Sequence, residues 1–387
     1  MQKTKDLEIY IHIPFCIKKC SYCDFLSFPS SSKLQESYLS TLKKEIKAFP
    51  YHEEYRVITV FFGGGTPSVL DAKWITEIME LVRSQFHLEP EAEVSLECNP
   101  GTVDAEKLSS YRRAGINRLS IGLQSADDRE LGLLGRIHTW KDFERTYELA
   151  RREGFDNINI DLMSALPGQT PDSWEQTIRC VLEKKPEHIS AYSLIIEEGT
   201  PFYHRYAEDV KRRDRGEQPE YLPSEEEERR MYVRTETLLA EAGMHRYEIS
   251  NYALPGYECR HNKGYWQGTD YVGFGLGASS LLRGVRCQNT EKMEAYQNDG
   301  FLNKKREILS VEEQMEEFMF LGLRMIRGVS MADFARRFGK SMDEVYGDVL
   351  KRQMELGLLQ KKEGQVYLTP RGIDLSNCVM AEFLLSV

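Results

Sequence analysis

Leu7-Glu8-Ile9-Tyr10-Ile11-His12-Ile13-Pro14-Phe15-Cys16-Ile17-Lys18-Lys19-Cys20-Ser21-Tyr22-Cys23 is the stretch from which the rest of the chain is read. Its first half alternates apolar and polar residues with period two, the pattern of a half-buried strand, and Pro14 ends it. Three thiols, Cys16, Cys20 and Cys23, therefore sit on the loop that leaves a strand. Three cysteines cannot all pair with one another, and no apolar secretory region precedes them, so a disulfide framework is disfavoured. Zinc would want a fourth Cys or His at paired spacing. Three thiolates, by contrast, suffice for three irons of a cubane cluster and leave the fourth iron open. For the thiols alone, a structural metal knuckle is the competing reading.

The arrangement of strand followed by polar loop recurs downstream. A helix is predicted over 33–49, and Val57-Ile58-Thr59-Val60-Phe61-Phe62 reads as a buried strand running into Gly63-Gly64-Gly65-Thr66-Pro67. Helices over 72–86, 104–113, 140–152 and 172–184 then alternate with strands over 92–98, 117–123, 157–162 and 188–194. Such alternation predicts an α/β fold with a parallel sheet and helices outside it; an open sheet and an incomplete barrel both satisfy it. The cysteines follow the first strand, the glycine turn the second, Glu97 ends the third, Gln124 follows the fourth and Asp161 lies near the end of the fifth. All fall on the C-terminal edge of the sheet, where α/β folds assemble their sites. Taken singly, each of these polar residues is more often a surface or ion-pairing group, and the glycine turn lacks the Lys-Ser/Thr of a phosphate loop.

At 387 residues the chain exceeds one comfortable core, which predicts a large domain and a smaller one. No apolar run approaches the ~20 residues needed to span a bilayer. With no apolar signal region before the first strand, a reducing cytoplasm is expected, and Cys98, Cys180, Cys259, Cys287 and Cys378 read as packing residues. A formal net charge of -10 argues against a nucleic-acid partner held through phosphates. The charge runs Lys211 to Arg215 and Glu225 to Glu228 read as solvated surface within a Pro-containing break over 200–224. After it come a helix over 225–242, a strand over 247–252, the segment His261-Asn262-Lys263-Gly264-Tyr265-Trp266, and Gly273 to Ser279. That last stretch reads as a tight backbone approach, because no strand-helix-strand unit frames it as a dinucleotide turn. Helical patterns over 311–327, 330–338 and 343–355 with a strand over 365–369 predict a winged-helix-like module. Residues 301–387 carry 13 Lys plus Arg against 13 Asp plus Glu, so the basic footprint of a DNA binder is missing.

The C-x3-C-x2-C spacing, with Tyr22 just before the last thiol, resembles the cluster loop of the radical S-adenosylmethionine (SAM) superfamily. The resemblance implies a 4Fe-4S cluster on Cys16, Cys20 and Cys23. SAM would lie beside it, held by Tyr10, Tyr22, Gly64, Gly65, Thr66, Glu97, Gln124, Arg136 and Asp161. It also implies a partial (β/α)6 barrel over 1–200, an extension over 201–300 and the winged-helix-like module over 301–387. As a set, Tyr10 to Cys16, Gly63 to Pro67, Glu97, Ile121-Gly122-Leu123-Gln124-Ser125, Arg136, Asn159 to Leu162 and Leu166-Pro167-Gly168-Gln169-Thr170 resemble one subgroup, that of oxygen-independent coproporphyrinogen III oxidase and its relatives.

Two features separate members of that subgroup. The oxidase pattern has a fourth cysteine two residues after the third, where this chain has Phe25. The segment from His261 to Trp266 resembles a motif of the subgroup's heme-chaperone branch, which the oxidase lacks. That branch implies heme near His261, Tyr265 and Trp266, delivered to acceptor proteins such as respiratory enzymes; a homodimer and peripheral membrane contact stay open. An imidazole can ligate heme iron and an aromatic ring can stack on the macrocycle, although without the resemblance a lone His among aromatics is more often structural. The alternative is the oxidase itself, which cleaves SAM to decarboxylate a porphyrinogen, so whether the chain turns SAM over stays undecided. A zinc-bound regulator is a third reading that the charge disfavours.

Overall fold

The computed structural model describes residues 4–385. Six strands pair in parallel in chain order: β1 (Lys5–Ile13), β2 (Tyr55–Gly64), β3 (His87–Cys98), β4 (Arg118–Gln124), β5 (Ile158–Ser164) and β6 (His188–Ser193). Helices Ser32–Lys47, Ala72–Gln85, Ala105–Arg113, Trp140–Arg152 and Pro171–Leu182 connect them. Each starts on a side-chain cap, from Ser31, Asp71, Asp104, Thr139 and Thr170 respectively, which satisfies an amide the first turn leaves free.

The period-two pattern decides what each face of the sheet carries. Ile9, Ile11 and Ile13 of β1, Val94 and Leu96 of β3, Leu119 and Ile121 of β4, and Ile158 and Ile160 of β5 enter one buried apolar cluster with the helices. The residues between them carry polar groups, among them the buried Glu8, Glu93, Ser95, Arg118, Ser120, Asn159, His188 and Ser190 and the half-buried Glu97. These interior groups bond one another. His188 Nδ1 lies 2.6 Å from Asn159 Oδ1, Asn159 Nδ2 donates to Ser120 Oγ at 2.7 Å, and His188 Nε2 lies 2.8 Å from Tyr247 Oη. One cavity is bordered by residues of β2 through β6 and by the loop after β1, so the sheet wraps round its polar face as a partial barrel.

The segment expected as an extension over 201–300 adds strands to both sides of this sheet. Strand Tyr271–Phe274 pairs with β1 in parallel, and Ser279–Leu282, Val285–Gln288 and Lys305–Ile308 continue antiparallel from it. On the opposite side Asn251–Ala253 pairs antiparallel with β6, and His245–Arg246 pairs antiparallel with it at the edge, giving one 12-stranded sheet. The strand expected over 247–252 is thus shorter and shifted. The stretch expected as a break over 200–224 contains helix Pro201–Asp214, capped by Thr200, so Lys211 to Asp214 belong to its last turn. Short helices Asp128–Leu133 and Arg260–Gln267 carried no sequence expectation. Gly275 does mark a close approach: its φ is +109°, and a Cβ there would stand 2.5 Å from Tyr38 Oη and 2.8 Å from the His12 carbonyl oxygen. Among the other cysteines Cys98 and Cys259 are buried, Cys180 and Cys287 are half-buried, and Cys378 is exposed.

The C-terminal module has its own core, with Met319, Phe334, Tyr346, Leu350 and Phe383 fully enclosed. Helices Val311–Gly322, Met331–Phe338 and Met342–Glu355 precede the antiparallel pair Leu359–Lys362 and Gln365–Leu368, the wing expected from the sequence. Among the described residues no helix is long and apolar enough to cross a membrane.

Candidate functional site

At the C-terminal ends of the strands lies a cavity of about 560 Å³. Cys16, Cys20, Tyr22 and Cys23 border it, with Gly64, Gly65, Thr66, Glu97, Gln124, Arg136 and Asp161. Apart from Tyr10, every residue expected around the cluster and SAM is therefore brought together.

The cysteine loop is tied to the sheet through side chains. Cys16 Sγ lies 3.6 Å from Thr66 Oγ1, and Arg136 Nη1 approaches Cys20 Sγ at 3.6 Å. Asn99 Nδ2 donates to Thr66 Oγ1 at 2.9 Å, and Asn99 Oδ1 accepts from Arg136 Nη2 at 2.7 Å; the same Nη2 donates to the Gly122 carbonyl. Asn99 thus joins the glycine turn, the arginine and the thiol loop, a role that sequence reading missed although it stands two residues beyond Glu97. The three sulfurs are partly exposed toward one cavity. Among the described residues no group of three Cys, His, Asp or Glu converges on a single ion position. A zinc ion gathers its sulfurs at ~2.3 Å from one point. Three thiols that border one cavity could hold three corners of a cluster.

Beside the thiols, backbone and carboxylates form the second half of the cavity. Gly64 has φ +112°, and a Cβ there would stand 2.5 Å from the His12 ring, so glycine is required on both counts. Its amide donates to Glu97 Oε2 at 3.2 Å. Burial, then the neighbouring Asp161 charge, pushes the Glu97 carboxyl up to about 8 against the opposing pull of that amide. Burial likewise raises Asp161, which accepts from Asn159 Nδ2 at 2.7 Å and Ser120 Oγ at 3.2 Å. Gln124 takes a left-handed φ of 76° at a register shift between β4 and β5, and its Oε1 accepts from Tyr192 Oη at 3.2 Å.

Tyr10 does not border the cavity. Its hydroxyl lies 3.0 Å from His12 Nδ1, and His12 Nε2 lies 3.0 Å from the Leu26 carbonyl oxygen. A carbonyl only accepts, so Nε2 carries the proton, Nδ1 accepts, and Tyr10 donates. Tyr10 therefore fixes the histidine that holds the far end of the cysteine loop.

The three residues expected around heme are split. His261 lies in helix Arg260–Gln267, which closes the polar interior of the barrel from the side of β2 and β3. Cys259 offers that helix no side-chain cap; instead Glu93 of β3 accepts from the amides of Arg260 at 2.9 Å and His261 at 3.1 Å. The His261 ring is 2% exposed, stacks on Phe61 with centroids 5.0 Å apart, and sets Nδ1 2.7 Å from Thr59 Oγ1. Burial and then Arg118 push its pKa down to about 3, and Nε2 has no partner among the described residues. One turn on, a Cβ at Gly264 would stand 1.9 Å from Glu8 Oε1, so the helix seats against β1 only through that glycine. Burial, then Glu93, raises Glu8 to about 9, which keeps it neutral at pH 7. Tyr265 and Trp266 instead line a second cavity of about 880 Å³, between the barrel and the C-terminal module. His261 borders neither cavity, and Asn262 borders both.

Two family models match the chain, the radical SAM superfamily over residues 10–181 and the HemN C-terminal domain over 309–375. Heme chaperone HemW of Bacillus subtilis is 39% identical over 97% of this chain and 98% of its own. This chain belongs to the HemW family of radical SAM proteins. HemW of Escherichia coli is 33% identical over 93% of this chain and 92% of its own. Among solved structures, coproporphyrinogen III oxidase (HemN) of Escherichia coli superposes with a TM-score of 0.84 over 99% of this chain and 91% of that one; at 24% identity it speaks for the fold. In this HemW-family chain Phe25 is 65% exposed at the mouth of the first cavity, where it offers no thiol.

Proposed function

We propose that the chain is a heme chaperone working in the cytoplasm: it holds a 4Fe-4S cluster on Cys16, Cys20 and Cys23, binds SAM beside it, and carries heme to acceptor proteins such as respiratory enzymes. The observation that carries the first part is the convergence of three thiols, the Gly64 to Thr66 turn, Glu97, Gln124, Arg136 and Asp161 on one cavity. When bound, the cluster would supply an open iron that an amino-acid end can chelate, and an electron. The protein's own part is binding and orientation. Gly64 and Gly65 let backbone approach the ligand, Glu97 and Asp161 accept from hydroxyls, and Arg136 steadies Cys20 while keeping positive charge beside it. Tyr22 and Gln124 border the same space. Membership of the HemW family supports the heme part, and a homodimer or a peripheral membrane contact would serve transfer to membrane-bound acceptors.

Phe25 favours this reading over coproporphyrinogen oxidation, because an apolar ring occupies the place of a fourth thiol in the oxidase pattern. The test is anaerobic reconstitution followed by separate addition of heme and of coproporphyrinogen III. Saturable heme binding without porphyrinogen turnover is expected; steady turnover would move the assignment to the oxidase.

A further inference from the structure

The second cavity is a cleft with two unlike sides. Tyr265 and Trp266 of helix Arg260–Gln267 and Tyr271 of strand Tyr271–Phe274 form one side; Phe318 and Leu321 of the module's first helix, with Met325 just beyond it, form the other. Its volume of about 880 Å³ falls within the range of pockets that enclose a large organic ligand. Aromatic side chains on both sides suit a ring system, and Arg324 already stacks over Trp266 with its guanidinium 4.3 Å from the ring centre.

The charge of the cleft narrows the ligand further. Four arginines line it, Arg286, Arg327, Arg336 and Arg337, against two carboxylates, Glu317 and Asp333. Arg286 pairs with Glu317, and Arg336 with Asp333. Arg327 and Arg337 are exposed and have no carboxylate partner among the described residues. Two uncompensated guanidinium groups beside an aromatic slot stand out in a chain whose formal charge is -10. A guanidinium presents paired donors that match a carboxylate. The indole Nε1 of Trp266 is buried and has no acceptor among the described residues.

We infer that this cleft, between the barrel and the C-terminal module, is where heme is carried, with its two propionates on Arg327 and Arg337 and its macrocycle against Tyr265 and Trp266. The inference rests on the heme-chaperone reading and adds the place and the recognition of the carboxylates. The cleft also explains why the motif from His261 to Trp266 divides: its first residues seat the helix in the barrel and its last ones face the ligand.

The test uses full-length protein titrated with heme and with heme dimethyl ester, whose esters cannot accept as carboxylates do, followed by difference absorbance in the Soret region. Arg327→Ala with Arg337→Ala, both surface changes that leave the core intact, should weaken heme roughly 10- to 100-fold. The ester should bind the unaltered protein about as weakly as heme binds the double variant, and the double variant should no longer distinguish the two. Trp266→Ala should weaken heme and ester alike. A control pair, Arg129→Ala with Lys141→Ala on a distant exposed surface, should leave affinity unchanged. Tight heme binding that ignores both arginines overturns the cleft while leaving the chaperone reading intact. Heme bound by the unaltered protein no better than by lysozyme overturns the chaperone reading itself.

Discussion

The carboxylate of Glu93 on β3 receives the backbone amide of His261 at 3.1 Å, from 168 positions away in the chain. It also receives the amide of Arg260, so one side chain satisfies the start of a helix that has no cap of its own. Replacing Glu93 by Ala leaves two amides at a buried helix start without acceptors. The expected cost is ~1 to 3 kcal/mol, read as a lower midpoint of unfolding. Hydrogen exchange should rise first at Arg260 and His261; exchange that rises uniformly across the chain would contradict this local role.

Stability should fall on the acid side through His261. Burial holds its folded pKa at about 3, against ~6.5 for a free imidazole, so the unfolded chain binds the extra proton between those values. The contribution is complete above pH 6.5 and decreases as pH falls, by about 1.4 kcal/mol for each unit below it. His261→Gln should flatten the dependence of unfolding free energy on pH between 6 and 4 relative to the unaltered chain. Because His138 is also depressed, to about 4, the difference between the two proteins is the quantity to measure. If His261 instead binds iron, the same variant should shift the Soret band of bound heme.

SAM affinity should depend on the ionisation of Glu97. With its carboxyl at about 8, the free protein keeps it mostly protonated at pH 7, and a ligand that donates hydroxyls to it favours the ionised form. Affinity should therefore rise roughly tenfold from pH 7 to 9, with a proton released on binding. Calorimetry in buffers of different ionisation enthalpy measures the release. Glu97→Gln should remove that share of the pH dependence, whereas a variant with the same slope would place the titration on SAM itself.

Anaerobic reconstitution should load about four irons and four sulfides per chain. Cys16→Ala, Cys20→Ala and Cys23→Ala should each abolish loading. Asn99→Ala should reduce it less, because it loosens Thr66 and Arg136 without removing a sulfur. Zinc without sulfide in the metal analysis would rule out the cluster.

What the sequence disclosed follows the range of the interactions involved. The alternation in β1 and the caps at Asp104 or Thr139 are local, so strands, helices and the residues at strand ends were legible. Helix Arg260–Gln267 escaped because its start is satisfied by Glu93 and its packing is set by Glu8 against Gly264, both distant in sequence. His261 and Trp266 looked like one motif because they are five positions apart; on a helix that spacing turns them toward different faces. Strand Tyr271–Phe274 escaped for a related reason, since its partner is β1, whose open edge no local pattern advertises.

That last pairing has a consequence for how the protein is made. β1 leaves the ribosome before the other strands of this sheet, yet its outer neighbour, Tyr271–Phe274, emerges only after β6 and two further long helices. The strand that covers the other side of β6, Asn251–Ala253, also comes late. During synthesis the barrel therefore stands with both flanks unsealed, each a row of free amides and carbonyls able to recruit a strand from another nascent chain. A message that stops soon after β6 would release a product with every cluster thiol in place and neither flank closed, and such a fragment belongs to the cell's proteases and holding chaperones rather than to iron-sulfur assembly.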